Sequence, residues 1–279
     1  MKVFLKLIKV KITIAVAIST VLGYIIAAQE INSGVVLPVL GLFILACGSA
    51  ALNQYQERDL DAKMERTSER PIPSGKISAK NALLISITLI ISGSIILFLG
   101  SNFLALQLAL LTLIWYNAVY TPLKRKTAFA IIPGALIGAL PPLVGYSAVT
   151  GDISSPNILF VAFFYFIWQI PHFWLIFLMH HKEYESAGFP SIAKIFGKKQ
   201  LAQITFLWTT ATAISVMMFP IFQVVDSFTI IILLFISSIG LIVLFSGLLG
   251  KKDQKVRRLF IFINIFLLLI NTLIIVDVV

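Results

Sequence analysis

The sequence has one cysteine in 279 residues, three histidines, and only 12% charged residues. A single cysteine, Cys47, excludes an internal disulfide framework, and its place in an apolar run marks it as a small buried side chain. The scarcity of charge, beside 59% hydrophobic residues and a mean hydropathy of +0.98, excludes an ordinary soluble domain. Internal repeats and low-complexity segments are also missing. A net charge of +10 raises the question of nucleic acid, but no basic amphipathic face is present. The basic residues fall between apolar segments, as membrane topology requires, so an integral membrane protein is the class that remains.

What the chain has in quantity is long apolar runs. A bilayer core of about 30 Å takes about 20 apolar residues per helix. That ruler predicts nine spans, at 12–29, 35–52, 82–99, 103–120, 128–149, 156–179, 201–223, 228–249 and 259–277. The first follows Lys2, Lys6, Lys9 and Lys11 and ends near Ala27-Ala28, like a signal peptide. Its length and the spans behind it predict an uncleaved helix.

Nine helices with the N-terminus inside put 1–11, 53–81, 121–127, 180–200 and 250–258 on one face, and these segments hold all 22 Lys and Arg. The outer segments near 30–34, 100–102, 150–155 and 224–227, with the C-terminal end, hold none, and carry only Glu30, Asp152, Asp226 and Asp277. One wrong span would scramble this partition, so the asymmetry predicts both the count and a cytoplasmic N-terminus. The expected fold is an all-α integral membrane protein of nine transmembrane helices, a single domain over 1–279. The short basic start, without a transit-type extension, sets the expectation of a bacterial inner (cytoplasmic) membrane.

The inner segment NQYQERDLDAKMERTSERPIPSG, 53–75, gathers 5 acidic and 4 basic residues. Asn53, Glu57 and Asp61 are spaced i, i+4, i+8, which puts them on one face if the second span continues as a helix. Two carboxylates and an amide oxygen there form a hard-oxygen site suited to Mg²⁺ shared with a phosphate substrate. Asp59 points elsewhere and is placed to pair with Lys63. Arg66 and Arg70 offer planar donors to phosphate oxygens, and Pro71, Pro73 and Gly75 are expected to end the helix and turn the chain. Spacing alone leaves a second reading open, a solvated acidic loop with i,i+4 pairs. Two other inner segments favour the binding site: Tyr120-Thr-Pro-Leu-Lys124-Arg125-Lys126 gathers cations, and His180-His-Lys-Glu183-Tyr-Glu185 adds carboxylates.

These residues resemble a known family. The 53–75 segment is similar to the N-x3-D-x3-D motif of the UbiA superfamily of intramembrane prenyltransferases, in its protohaem IX farnesyltransferase branch. YTPLKRKT at 120–127, PGALIGALPPLVGYSAVTG at 133–151, WQIPHFW at 168–174 and KEYESAGFP at 182–190 agree with the same branch, in order. The resemblance implies a helical bundle around a central cavity closed on the inner side by polar connectors. It implies Mg²⁺ as cofactor, with farnesyl diphosphate and haem b as substrates. The product would be haem O, which links the chain to terminal oxidase assembly or haem A synthesis. By the same resemblance Asn53, Glu57 and Asp61 would hold Mg²⁺, with Glu183 a second metal-side residue. Arg66, Arg70, Lys124 and Arg125 would contact the diphosphate. The sequence departs from the family at Glu57, where Asp is usual, and at Ala130, where many members of the branch have Asn. Its second motif lacks the D-x3-D of the quinone-type members, since Met179 and Ala187 flank Glu183 at that spacing.

His172 lies within the sixth span, where an ionisable group tends to be functional. It is open to contact with haem iron or a propionate, or to a bond within the bundle. Trp168, with Phe173 and Trp174, reads first as packing and, beside His172, as part of an acceptor site. His180 and His181 read as solvated, and no histidine pair has the spacing of a helical zinc motif. Pro141-Pro142 with Gly134, Gly138 and Gly145 predict a bent fifth helix with close helix contacts. The basic 249–258 loop reads as an orientation signal and an anionic-lipid contact. A prenyltransferase acting on a quinone precursor or another lipid acceptor is the alternative in the same chemistry. A transporter would place its charges nearer mid-membrane than the inner helix ends seen here.

Overall fold

In the computed structural model residues 1–190, 195–249 and 256–279 are described, so Lys194 and most of the expected 250–258 loop lie outside the described residues. All regular structure among them is helical. The long elements are α1 Lys2–Leu7, α2 Val10–Ala28, α3 Val36–Asp61, α5 Ala79–Gly100, α6 Phe103–Ile114, α8 Ile131–Thr150, α9 Pro156–Ser186, α10 Lys198–Met217, α11 Phe228–Ser246 and α12 Val256–Val278. The short turns α4 Glu65–Ser68 and α7 Thr121–Leu123 complete the α-helices, and short 3-10 and π-helical segments join several of them.

Among the described residues eight helical segments are long and apolar enough to cross a membrane, where nine were expected. The expected seventh span, 201–223, is present as α10, but it is the most hydroxyl-rich of the long helices. Thr205, Thr209 and Thr212 are buried in it, each donating to the carbonyl four residues back, Leu201, Thr205 and Trp208. Satisfying hydroxyls on the helix's own backbone removes most of the cost of burying them. The helix packs against α9 and α11.

Each helix divides into a face toward its neighbours and a face toward lipid. On α5 only Ala82, Ser86, Gly93 and Leu97 are buried, along the face that meets α3, while Leu84, Ile91, Ile95 and Leu99 stay exposed. Apolar surface of that extent is stable only against lipid. The close crossings need residues without a Cβ: one added at Gly145 would lie 2.0 Å from the Thr20 carbonyl oxygen, where α8 crosses α2. The expectation of close approach through the small residues of 133–151 is met, and α8 runs through both Pro141 and Pro142. Gly145→Val is expected to destabilise the fold by about 3 kcal/mol through overpacking. Thermal unfolding in detergent checks this, and an unchanged midpoint would show that the α2–α8 crossing gives way freely.

At the end of the bundle away from the charged 53–75 segment Asp277 of α12 accepts from the backbone N–H groups of Asp226 and Ser227, at 2.8 and 2.9 Å, where α11 begins. Across the bundle Tyr165 donates to Asn271 at 3.0 Å, tying α9 to α12. These ties leave the inner halves of α3, α8 and α9 to line a cavity.

Candidate active site

Helix α3 does not stop at the membrane boundary expected near residue 52. The segment LNQYQERDLD contains no glycine, proline or β-branched residue, so nothing in it interrupts the helix before Asp61. The i, i+4, i+8 reading is therefore realised: Asn53, Glu57 and Asp61 are 0%, 3% and 1% exposed, on the face turned into the bundle. Asp59 points outward. Its partner is Arg58, 3.8 Å away, and not Lys63, because the helix ends before Lys63 can come round beneath it. That end is ten residues ahead of the expected stop at Pro71. Met64 turns extended and buries itself with Ala187 and Phe189, pulling the chain off the helix axis. The prolines belong to the later turn, closed by Gly75 at φ +71.

The three oxygen-bearing side chains each meet one cation. Lys9 Nζ donates to Asn53 Oδ1 at 2.5 Å. Lys124 Nζ lies 2.5 Å from Glu57 Oε1 as an ion pair. Arg70 NH1 donates to both oxygens of Asp61, at 2.7 and 2.6 Å. Arg70 is brought back by the loop after α4, a turn that the Thr67 hydroxyl ties to the end of α3 by donating to the Asp61 carbonyl at 2.9 Å.

The Asn53 amide is oriented by its neighbours. Thr121 gives its hydroxyl proton to the Tyr116 carbonyl at 2.8 Å, so it can only accept from Asn53 Nδ2, at 2.9 Å. The carbonyl oxygen of Asn53 is thereby left facing the cavity. Tyr116 lies in a π-helical stretch, Trp115–Tyr120, that widens the inner end of the fourth span. Such turns concentrate at functional sites. This one stacks Tyr116 on Tyr120 with ring centroids 6.0 Å apart, and aims Asn117 at α3, where it accepts from the Ser49 hydroxyl at 2.6 Å.

The cavity these groups enclose has a volume of about 320 Å³, within the range of small-molecule sites. At its inner end stand Lys9, Asn53, Glu57, Asp61, Arg66, Arg70 and Lys124. Toward mid-membrane the walls become apolar, with Val16, Leu42, Leu45, Leu113 and Ile137, and α9 contributes Gln169, His172 and Phe173. His172 Nδ1 has no hydrogen-bond partner among the described residues.

Other expected site residues stand outside this lining. Arg125 reaches away to donate to the Gln56 carbonyl at 2.5 Å, a tie between the fourth span and α3. Glu183 accepts from the Arg66 backbone N–H at 3.2 Å and sits 3.1 Å from His180 Nδ1, so it ties the end of α9 to α4. Trp168 donates to the Ile263 carbonyl at 3.0 Å, with its ring 4.9 Å from that of His172.

Lys9 was missing from the sequence reading, where it was one of four basic residues at the start. It lies at a break between α1 and α2 in the left-handed conformation, φ +50, which a lysine adopts only when held. Gln54 holds it, donating to the carbonyls of Lys6 and Leu7 at 2.7 and 2.9 Å and so closing the end of α1. Withdrawal from water, with Arg70 nearby, pulls the Lys9 ammonium down to about 7. No spacing rule links residue 9 to residue 53; only the packing of α2 on α3 brings them together.

A helix face of buried acids and an amide, opposed by cations at the mouth of an apolar cavity, matches the motif that carried the resemblance. The UbiA prenyltransferase family model matches residues 16–267. The chain belongs to this family. The protoheme IX farnesyltransferase of Nitratidesulfovibrio vulgaris strain DP4 is 35% identical over 250 residues, covering 90% of this chain and 86% of that protein. The protoheme IX farnesyltransferase of Geobacter sulfurreducens is 38% identical over 205 residues, covering 74% and 76%. Among solved structures, a digeranylgeranylglyceryl phosphate synthase superposes with a TM-score of 0.79 at 20% identity, over 99% of this chain and 98% of that one. A UbiA homologue from Archaeoglobus fulgidus bound to GPP and Mg²⁺ gives 0.75 at 15% identity, over 99% of both chains. The UbiA fold is shared throughout, and this family member is a prenyltransferase.

The residues present fit the metal that the family implies. Two carboxylates and an oriented amide oxygen are hard donors already drawing positive charge, and Mg²⁺ binds through one or two carboxylates completed by water and phosphate. Among the described residues no cluster of three His, Cys, Asp or Glu offers a richer set.

Proposed function

We propose that this UbiA family member transfers the farnesyl group of farnesyl diphosphate to a vinyl group of haem b, with addition of water, forming haem O. The observation that carries the reading is the graded cavity, with an acid-amide face and cations at its inner end and apolar walls beyond. The names of the relatives at 35% and 38% identity support haem as the acceptor.

Asn53, Glu57 and Asp61 would hold Mg²⁺; Glu183, at the end of α9 and outside the cavity lining, would serve them only through its bond to the Arg66 backbone. The bound metal supplies neutralisation of the leaving diphosphate's charge. Arg66, Arg70 and Lys124 would hold the diphosphate oxygens, favouring cleavage of the allylic C–O bond as charge grows on the leaving group. Arg125 supports them by fixing the helix end through Gln56. The apolar walls keep water from the allylic carbon until the vinyl group has attacked. Water then adds to the resulting cation, and its proton leaves with the pyrophosphate. His172, with Trp168 against its ring, lines the cavity wall on the side where the acceptor would lie.

The inner face would be the cytoplasm of a bacterial cell, with the N-terminus there, in one domain over 1–279 supplying haem O for terminal oxidases. The test is incubation of the membrane protein with haem b, farnesyl diphosphate and Mg²⁺, and mass analysis of the haem. Farnesylated haem is expected; prenylation of an aromatic acid with no farnesylated haem would overturn the acceptor. His172→Phe is expected to raise KM for haem about tenfold with KM for farnesyl diphosphate little changed. Equal rises in both would remove His172 from the acceptor side.

A further inference from the structure

The polar end of the cavity is matched one for one: Asn53 by Lys9, Glu57 by Lys124 and Asp61 by Arg70. Arg66 lines the same space, so four cationic side chains, Lys9, Arg66, Arg70 and Lys124, face two carboxylates, Glu57 and Asp61. A divalent cation entering alone must displace three amino or guanidinium groups and then sit among an excess of positive charge. A diphosphate entering alone finds its cations already engaged with the acid-amide face. Entering together, the metal takes the oxygens and the diphosphate takes the displaced cations. Each ligand then removes the obstacle to the other, which is a coupling between two sites.

Lys9 is the group best placed to move. It hangs from a helix break and not from a helix face, and its hydrogen-bond partner is a neutral amide, while Glu57 and Asp61 keep Lys124 and Arg70 as their own ion-pair partners. Its other hydrogen bond, to the Tyr116 hydroxyl, is long at 3.5 Å.

We propose that Lys9 is a further diphosphate-binding residue, held on the Asn53 amide until the substrate arrives, and that Lys9, Lys124 and Arg70 together make metal and diphosphate binding mutually dependent. The proposal rests on the diphosphate reading of the cavity given above. It assigns the break between α1 and α2, and Gln54 that closes it, to delivering one cation to the site.

The test uses the full chain in detergent, with Mn²⁺ as the metal probe followed by its electron paramagnetic resonance signal and inorganic pyrophosphate as the diphosphate. Chelation in solution is subtracted by a protein-free titration. The wild-type chain is expected to bind Mn²⁺ at least about tenfold more tightly with pyrophosphate than without it. Lys9→Met should tighten Mn²⁺ binding in the absence of pyrophosphate and shrink the gain pyrophosphate gives, and Lys9→Arg should restore the gain. Equal Mn²⁺ affinity with and without pyrophosphate in the wild-type chain would overturn the inference while leaving the diphosphate site standing. So would a Lys9→Met chain, folded by its thermal midpoint, whose coupling equals that of the wild type. Absence of any Mn²⁺ or pyrophosphate binding to the wild-type chain would overturn the diphosphate reading itself.

Discussion

Asp61→Asn is expected to lower turnover by at least about a hundredfold, the scale set by losing one preorganised electrostatic group. Asp61 closes α3, is 1% exposed, and has both carboxylate oxygens within 2.7 Å of Arg70 NH1. Asparagine keeps the shape and an oxygen for Arg70 but removes the charge that a hard cation needs. Alanine is the poorer test: it would leave the Arg70 guanidinium facing an empty space and cost about 3–5 kcal/mol, less whatever water reaching Arg70 returns. Loss of fold would then be mixed with loss of chemistry. The measurement is turnover of the asparagine variant beside its thermal midpoint. A folded variant within about threefold of wild type would remove Asp61 from the metal site.

Lys124→Met is expected to cut kcat/KM for farnesyl diphosphate by about 10²–10³-fold and to destabilise the chain as well. Glu57 is 3% exposed and faces Lys124 Nζ at 2.5 Å, so the variant strands a buried carboxylate, at a cost of about 3–5 kcal/mol. The double variant Lys124→Met with Glu57→Gln, read against Glu57→Gln alone, which reports the lost metal ligand, separates the two effects, because it removes the stranded charge along with the cation. Its thermal midpoint should recover while its turnover stays low. Turnover equal to that of Glu57→Gln alone would mean that Lys124 serves only to neutralise Glu57.

Much of this site could be read along the chain because helical spacing is local. Asn53, Glu57 and Asp61 are related by a period of one helix turn, and nothing from the rest of the fold is needed to put them on one face. Lys124 and Arg125 were equally visible as a basic pair, but adjacent residues on a helical turn point in different directions. The fold turned Lys124 to the cavity and Arg125 to the Gln56 carbonyl. Glu183 shows the same limit: a carboxylate in an acidic segment, it is held on a backbone N–H and a histidine at the loop instead of in the cavity wall.

The apolar runs and the one-sided Lys and Arg by themselves determined a helical membrane protein with its polar chemistry on one face, since the bilayer imposes length and charge sorting on each segment separately. The UbiA resemblance was carried by ordered motifs in the same local way. Tertiary structure alone decided which polar residues share the cavity. Lys9 meets Asn53 across 44 positions, Thr121 orients that amide across 68, and the packing of α10 buries Thr205, Thr209 and Thr212. Such pairings depend on how helices cross and where they break, and a break at a left-handed lysine held by a distant glutamine leaves no periodic trace in the chain.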